Sequence, residues 1–215
     1  MECRINEIHP CHVGESLASG LPAVLVRFAG CSVRCVYCDT RYAQREPAST
    51  FTVSQVLEKV EALGLDRLLI TGGEPLEQEE ATVMLCNASL KRGYSILLET
   101  SGTCLLSPLP EGVIRIVDVK PPGAKAKLPF LQENLALLRP QDQLKFVLTS
   151  RADFEWALSF LQKNRPALAP SHILFSPVMG LLKPAQLSSW MLERSVAYRF
   201  HVQIHKFVWG DRRGV

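Results

Sequence analysis

The sequence has no long hydrophobic run, no strong excess of one charge and no even complement of cysteines. No window approaches the roughly 18 uncharged apolar residues that a membrane-spanning helix needs, so no membrane partner is expected. With 24 Lys+Arg against 21 Asp+Glu, the net charge is +3. That excess is too small for a protein that lives on phosphate backbone, so nucleic acid is not an expected partner. The opening Met-Glu-Cys-Arg-Ile-Asn-Glu forms no apolar signal core, and a cytoplasmic location is expected. No internal repeat, low-complexity stretch or linker divides the chain. Its 215 residues, 47% of them hydrophobic, suit one domain over 1–215 with a real core. Seven cysteines are present. An odd count without a signal peptide argues against a disulfide framework and for reduced thiols, some of them available to metal.

Cys3, Cys11, Cys86 and Cys104 are scattered. Cys86 lies in a helix-like run and reads as a small buried hydrophobe. The other three form Cys31-Ser-Val-Arg-Cys35-Val-Tyr-Cys38. Three thiolates this close can wrap one metal centre. Structural zinc takes four protein ligands, usually as two separated pairs, and no second pair follows. His9, His12, His201 or His205 would have to complete such a site. An iron–sulfur cluster suits thiolates better. A four-iron cluster on three cysteines leaves one iron open for another ligand.

Short apolar runs alternate with amphipathic stretches. Strands are expected at Ala23–Ala29, Arg67–Thr71, Tyr94–Glu99, Ile114–Val119, Gln143–Leu148, His172–Ser176 and Ala197–Ile204. Helices are expected at Thr52–Leu63, Glu77–Arg92, Pro129–Leu138, Ala152–Lys163 and Pro184–Arg194. This alternation implies a mainly parallel sheet. Between Glu99 and Ile114, Gly102, Pro108, Pro110 and Gly112 break any useful helix. The expected fold is therefore α/β, a partial, open β/α barrel of about six parallel strands with trimmed crossovers. A doubly wound sheet has the same periodicity and is the alternative.

The polar and glycine-rich segments each follow an expected strand. They are Gly30–Thr40, Thr71-Gly72-Gly73-Glu74-Pro75, Glu99-Thr100-Ser101-Gly102, Asp118-Val119-Lys120, Thr149-Ser150, Ser176-Pro177-Val178-Met179 and His205-Lys206. In parallel α/β folds such carboxyl ends share the face where active sites are built.

Cys31-x3-Cys35-x2-Cys38, with Tyr37 before the third cysteine and Gly72-Gly73-Glu74-Pro75 downstream, resembles the radical S-adenosylmethionine enzymes. Within them, the chain resembles the 7-carboxy-7-deazaguanine synthases nearly end to end. The matching stretches are Asn6-Glu7-Ile8 through Gly14-Glu15, Val26-Arg27-x-x-Gly30-Cys31, Cys38-Asp39-Thr40, Glu99-Thr100-Ser101-Gly102, Asp118-Val119-Lys120 and His205-Lys206-x-x-Trp209-Gly210. The resemblance implies a lyase that converts 6-carboxy-5,6,7,8-tetrahydropterin to 7-carboxy-7-deazaguanine with loss of ammonia. It implies a 4Fe-4S cluster, S-adenosyl-L-methionine, magnesium (Mg2+), an electron donor such as flavodoxin or ferredoxin, and a homodimer. Two other readings share the cysteine motif: an activase that places a glycyl radical on a partner, and a non-enzymatic metal-binding module.

By this resemblance Cys31, Cys35 and Cys38 hold the cluster. Tyr37, Cys38, Asp39, Gly73, Glu74, Ser101, Asp118, Val119, Lys120 and Ser176-Pro177-Val178-Met179 contact the cofactor, with Glu74 opposite its ammonium. Core packing is the other reading of Tyr37, and a solvated charge that of Lys120. Substrate contacts fall to His12-Val13-Gly14, Glu15, Arg27, Thr71 and Val215, and magnesium to Thr40. The family commonly has glutamine where Val13 stands and an aromatic where His9 stands. Arg27 stands out independently of the resemblance, because a cation in the apolar run Ala-Val-Leu-Val-Arg-Phe-Ala needs a partner. It suits bidentate capture of a carboxylate, or a structural ion pair to Asp39 or Glu15. Thr40 is also readable as a polar cap, and residues 209–215 as a frayed terminus that Trp209 partly packs.

Overall fold

The computed structural model describes residues 1–214. Its strands are β1 (Glu2–His12), β2 (Pro22–Phe28), β3 (Ser49–Thr52), β4 (Arg67–Gly72), β5 (Ser95–Thr100), β6 (Val113–Asp118), β7 (Gln143–Leu148), β8 (Ile173–Pro177) and β9 (Arg199–Phe200). Its helices are α1 (Tyr42–Arg45), α2 (Val53–Glu61), α3 (Glu79–Leu90), α4 (Arg151–Asn164), α5 (Pro184–Glu193) and α6 (Ile204–Trp209). All nine strands form one open sheet, in the order β3-β1-β2-β4-β5-β6-β7-β8-β9. From β2 onward every pairing is parallel. β1 is antiparallel to both β2 and β3. The expected parallel strands are present, and the last is only two residues long.

Side chains alternate across the sheet because the strand period is two. One face carries Val24, Val26 and Phe28 of β2, Leu68 and Ile70 of β4, Ile96 and Leu98 of β5, and Leu144, Phe146 and Leu148 of β7. The amphipathic faces of α2, α3, α4 and α5 cover them. Each fully buried Leu, Ile or Phe contributes about 1.5–3 kcal/mol. The helices begin where their caps permit. Thr52 and Gln55 form a reciprocal capping box at α2, and the Ser150 hydroxyl accepts the Asp153 N–H at α4. The other face is concave. Its floor is a small apolar plug of Val13, Ala23, Leu25, Leu69, Leu97 and Ile116.

Two expected elements come out differently. Pro129–Leu138 forms only a 3-10 turn at Gln132–Leu135. Asn134 is fully buried there, and its amide donates to the Gly102 and Cys104 carbonyls and accepts the Leu106 N–H. These bonds hold the helix-free β5–β6 connection, and a side chain engaged with distant backbone competes with helix continuation. Ala197–Ile204 stops as a strand at Phe200, and the chain then turns into α6. His201 N–H still donates to the Phe175 carbonyl of β8, and the polar His201 and Gln203 are both buried.

β1 and β3 were not apparent in the sequence. β1 changes phase at a register shift between Ile5 and Glu7. Before it, Cys3 and Ile5 face the helices; after it, Glu7, His9 and Cys11 face the concave side. No single alternation runs through the strand. The bulge leaves the Asn6 Oδ1 buried without a partner.

The deepest charges are structural. Arg115 and Asp142 are 1% and 0% exposed at their side chains. Arg115 Nε donates to Asp142 Oδ2 at 2.8 Å, and Asp142 also accepts the Arg115 and Arg139 N–H groups. Asp142→Ala strands that guanidinium, and is expected to lower the unfolding free energy by about 3–5 kcal/mol. Urea denaturation checks this, and a loss below about 1 kcal/mol would contradict it.

Candidate active site

Two residues beyond the plug, the same strands carry polar groups. Arg27 follows Leu25, Thr71 follows Leu69, Glu99 follows Leu97 and Asp118 follows Ile116, with Lys145 on β7 alongside. These residues floor a cavity of about 670 Å³. Its walls are the loops at the carboxyl ends of the strands, the outer half of β1 and residues 203–214.

The cysteine loop follows β2. Gly30 N–H donates to the Ala43 carbonyl, Ser32 N–H to Glu77 Oε1 and Val36 N–H to the Ala124 carbonyl. Gly73 packs directly beneath it. A Cβ there would overlap the Gly30 carbonyl, so only glycine fits. Cys31, Cys35 and Cys38 are free thiols that line the cavity together. Burial pushes the Cys35 thiol up to about 11, so metal binding there must displace a proton. Gln44 Nε2 donates to Cys38 Sγ at 3.2 Å. Among the described residues, no three His, Cys, Asp or Glu side chains converge on a point that one ion could fill. That geometry disfavours a single zinc ion. Three thiols spread over one cavity wall fit a multi-iron cluster, whose thiolates bind different irons. Asp118 Oδ1 is buried in the same cavity wall without a partner and is open to a donor from a bound group.

A chain of charges crosses the floor. Lys120 Nζ donates to Asp118 Oδ2 at 2.8 Å, and Lys145 Nζ lies 3.4 Å from the same oxygen. Lys145 donates to Glu15 Oε2 at 2.5 Å, and Gln203 Nε2 to Glu15 Oε1 at 2.7 Å. Burial works against the charge on Glu15, but Lys145 and His205 outweigh it and hold the carboxyl low. On the opposite wall, Arg27 Nε donates to Glu7 Oε2 at 2.8 Å, and Tyr42 donates to the same oxygen at 2.8 Å. Arg27 Nη2 has no hydrogen bond among the described residues and is available to a ligand. Thr71 donates to Glu99 Oε2 at 2.9 Å. Tyr37 is fixed by its hydroxyl to the Val147 carbonyl at 3.0 Å.

The tail completes the wall. Ile204 N–H donates to the Gly14 carbonyl, and the His205 ring occupies the space a Gly14 side chain would need. His205 Nε2 and Lys206 Nζ lie 3.6 and 3.7 Å from Asp39 Oδ2. Burial opposes ionisation of Asp39, yet these two cations hold its carboxyl far below the usual range. Arg213 stacks on Tyr42 at 3.7 Å and pairs with Glu46 through both terminal nitrogens.

Most residues expected from sequence meet here: Cys31, Cys35, Tyr37, Cys38, Asp39, Thr40, Gly73, Ser101, Asp118, Lys120, Val178 and Met179, with His12, Gly14, Glu15, Arg27 and Thr71. Others do not reach the cavity. Glu74 is buried off the cavity lining, where its carboxylate accepts from Thr100, Ser101 and the Leu76 N–H and braces the glycine loop. Val13 belongs to the plug, and its N–H and carbonyl are used by Leu21 and Gly20. Val119, Ser176 and Pro177 are buried off the cavity lining. Val215 lies outside the described residues. Arg27 pairs with Glu7, not with Asp39 or Glu15. Lys120 is ion-paired, not solvated. Sequence reading did not single out Glu7, Tyr42, Glu99, Lys145 and Gln203 as site residues. A charge inside an apolar strand, the signal that marked Arg27, also marks Glu99 and Lys145. Cys11 lines the cavity too.

The radical SAM superfamily model matches residues 25–120. The chain is 35% identical over 219 residues to the 7-carboxy-7-deazaguanine synthase of Koribacter versatilis, covering 96% of each. It is 37% identical over 215 residues to that of Chlorobaculum tepidum, covering 98% of this chain and 96% of the relative. The crystal structure of QueE from Escherichia coli superposes with a TM-score of 0.75, covering 94% of both chains at 21% identity, which speaks to the fold. The Streptococcus suis SuiB structure bound to its precursor peptide SuiA reaches 0.59 at 11% identity, covering 82% of this chain and 47% of SuiB.

Glu15 titrates lower in the folded chain than its ordinary value near 4.3. Its contribution is therefore present above that value and is lost as pH falls through the folded pKa. The melting-temperature deficit of Glu15→Gln relative to wild type should be largest at neutral pH and shrink toward pH about 2–3. A deficit that stays constant over that range would refute the assignment.

Proposed function

Because the chain belongs to the 7-carboxy-7-deazaguanine synthase family, we propose that it converts 6-carboxy-5,6,7,8-tetrahydropterin to 7-carboxy-7-deazaguanine with loss of ammonia. It is a radical SAM enzyme of the lyase class, and that family uses a 4Fe-4S cluster and S-adenosylmethionine. The carrying observation is a single cavity that joins the three thiols to the Glu7-oriented Arg27.

Cys31, Cys35 and Cys38 are the cluster ligands in this reading. Bound there, the cluster and S-adenosylmethionine supply the radical that starts the reaction. The protein's part is placement. Tyr37, Gly73, Ser101, Asp118 and Lys120 border the thiols on the cofactor side. Lys120 and the partnerless oxygen of Asp118 offer one positive and one negative group, which suits a zwitterionic amino-acid moiety. Arg27 presents its free Nη2 to the substrate carboxylate, and Glu7, itself held by Tyr42, fixes the orientation of the guanidinium. Thr71 and Glu99 offer a hydroxyl and a carboxylate to the polar edge of the pterin, and His12, Gly14 and Glu15 border the same space. The tail bridge over Asp39 limits water in the chamber.

The finer features of the reading also have support. Magnesium falls to Thr40, whose Oγ1 lies 3.7 Å from Cys38 Sγ in the cavity wall; the ion would take its other ligands from water and substrate. Exposed Phe207 and Val208 on α6 support a homodimer. Seven free thiols suit a reducing cytoplasm, and no helix is long and apolar enough to cross a membrane. A one-electron donor such as flavodoxin or ferredoxin must reduce the cluster.

Anaerobically reconstituted protein, given reductant, S-adenosylmethionine, magnesium and carboxytetrahydropterin, is expected to form a product with deazapurine absorbance. No such product would overturn the proposal. Arg27→Ala should raise KM for the pterin about 10- to 100-fold, the worth of a charged hydrogen bond, while uncoupled S-adenosylmethionine cleavage persists. An unchanged KM would remove Arg27 from the substrate site.

A further inference from the structure

The cysteine loop has two sides. Val33, Cys35 and Tyr37 line the cavity, whereas Ser32, Arg34 and Val36 face solvent. A second segment is laid against the outer side. Val36 N–H donates to the Ala124 carbonyl at 3.0 Å, and Lys127 N–H to the Val33 carbonyl at 2.8 Å. This juxtaposition gathers Arg34, Arg41, Lys125 and Lys127, all exposed. Arg41 joins them through its guanidinium, which donates to the Val36 carbonyl.

None of these four cations has a carboxylate partner among the described residues. Elsewhere on the surface Arg92 pairs with Glu61, Arg151 with Glu155 and Glu193, and Arg213 with Glu46, while Arg4, Arg45, Arg165, Arg199 and Arg212 also lack a carboxylate partner among the described residues. In a chain of net charge +3, four unpaired cations around one loop are a local concentration of positive potential. Exposed Val36 and Leu128, at 45% and 40%, sit among them. A hollow of about 220 Å³, walled by Lys125, Leu128, Phe130 and Trp156, adjoins. An apolar centre within a charged rim is the anatomy of a protein-docking surface. Glu77 bounds it on the far flank by accepting the Ser32 N–H.

We infer that this face docks an acidic one-electron carrier protein directly over the cysteine loop. The inference rests on the proposed function, which places a cluster behind that loop. One electron passes from the reduced carrier to the cluster, and no bond forms between the proteins. Transfer falls steeply with distance, and Arg34 and Val36 are exposed on the outer side of the loop. Carrier and substrate therefore approach opposite sides of one loop and do not compete. Unlike charges bring the partners together quickly, and few apolar contacts leave the complex short-lived, as repeated delivery requires.

The test uses reconstituted enzyme and purified acidic flavodoxin as the probe. Flavodoxin should bind the wild-type protein, and added salt should weaken that binding. Lys125→Glu/Lys127→Glu should raise the dissociation constant about tenfold or more at low salt and slow carrier-driven cluster reduction in parallel. Arg34→Gln should act in the same direction by less. Cleavage of S-adenosylmethionine driven by dithionite should be the same in all three proteins, and the iron content likewise. Undetectable binding to the wild type, unchanged binding in the double variant, or a loss equally large with dithionite would each overturn the docking inference. Wild-type protein that fails to cleave S-adenosylmethionine even with dithionite would overturn the functional reading, and this inference with it.

Discussion

The molecule depends on a change of character along parallel strands. At one level the inward side chains are Leu25, Leu69, Leu97 and Ile116; two residues on they are Arg27, Thr71, Glu99 and Asp118. The strand period of two puts both sets on the same face, one layer above the other. The lower layer is dry and packed, and supplies a rigid floor. The upper layer is charged, and none of its charges can be left alone so close to that floor. Each charge takes a cation, a carboxylate or, for Glu99, the Thr71 hydroxyl as its partner, and these contacts fix the side chains. Glu7 holds Arg27, Lys145 joins Glu15 to Asp118, and Asp118 holds Lys120. The same pairs that neutralise the layer orient it toward a ligand.

The open sheet imposes a second constraint. Strand pairing cannot close the barrel between β9 and β1, so residues 201–214 do so with side chains and isolated backbone bonds. Gln203 reaches Glu15, Ile204 reaches Gly14, and His205 and Lys206 reach Asp39. Those partners belong to the β1–β2 connection and the cysteine loop, so the tail touches both ligand regions at once.

The parallel strands were legible because each is an apolar run bounded by turn residues. The cysteine loop was legible from its spacing. β1 was not, since a bulge reverses its alternation and its outer half is polar by function. The Pro129–Leu138 run looked helical by composition, but Asn134 was committed to bracing a distant loop. For the site, charge within an apolar strand was the useful signal, and it is ambiguous. Arg27, Glu99 and Lys145 carry it and line the cavity, but Arg115 carries the same signal and is spent on a buried pair with Asp142. Only the partner distinguishes the two cases, and partners separated by 20 to 130 residues are not visible in one sequence. Glu74 shows the converse. Its motif position suggested a ligand contact, yet four internal donors already satisfy it.

The seam has a consequence for how the molecule is made. Gln203 and Glu15 are separated by 188 residues, and the segment that seals the chamber leaves the ribosome after every strand it seals. Until then Glu15 and Asp39 lack their tail partners, and the thiols lie in an open trough. Contacts of such long sequence separation form late. Before residues 203–206 are made, the cysteine loop is open on the side that these residues later close. A group too large to pass the finished mouth has that open side as its route to the thiols.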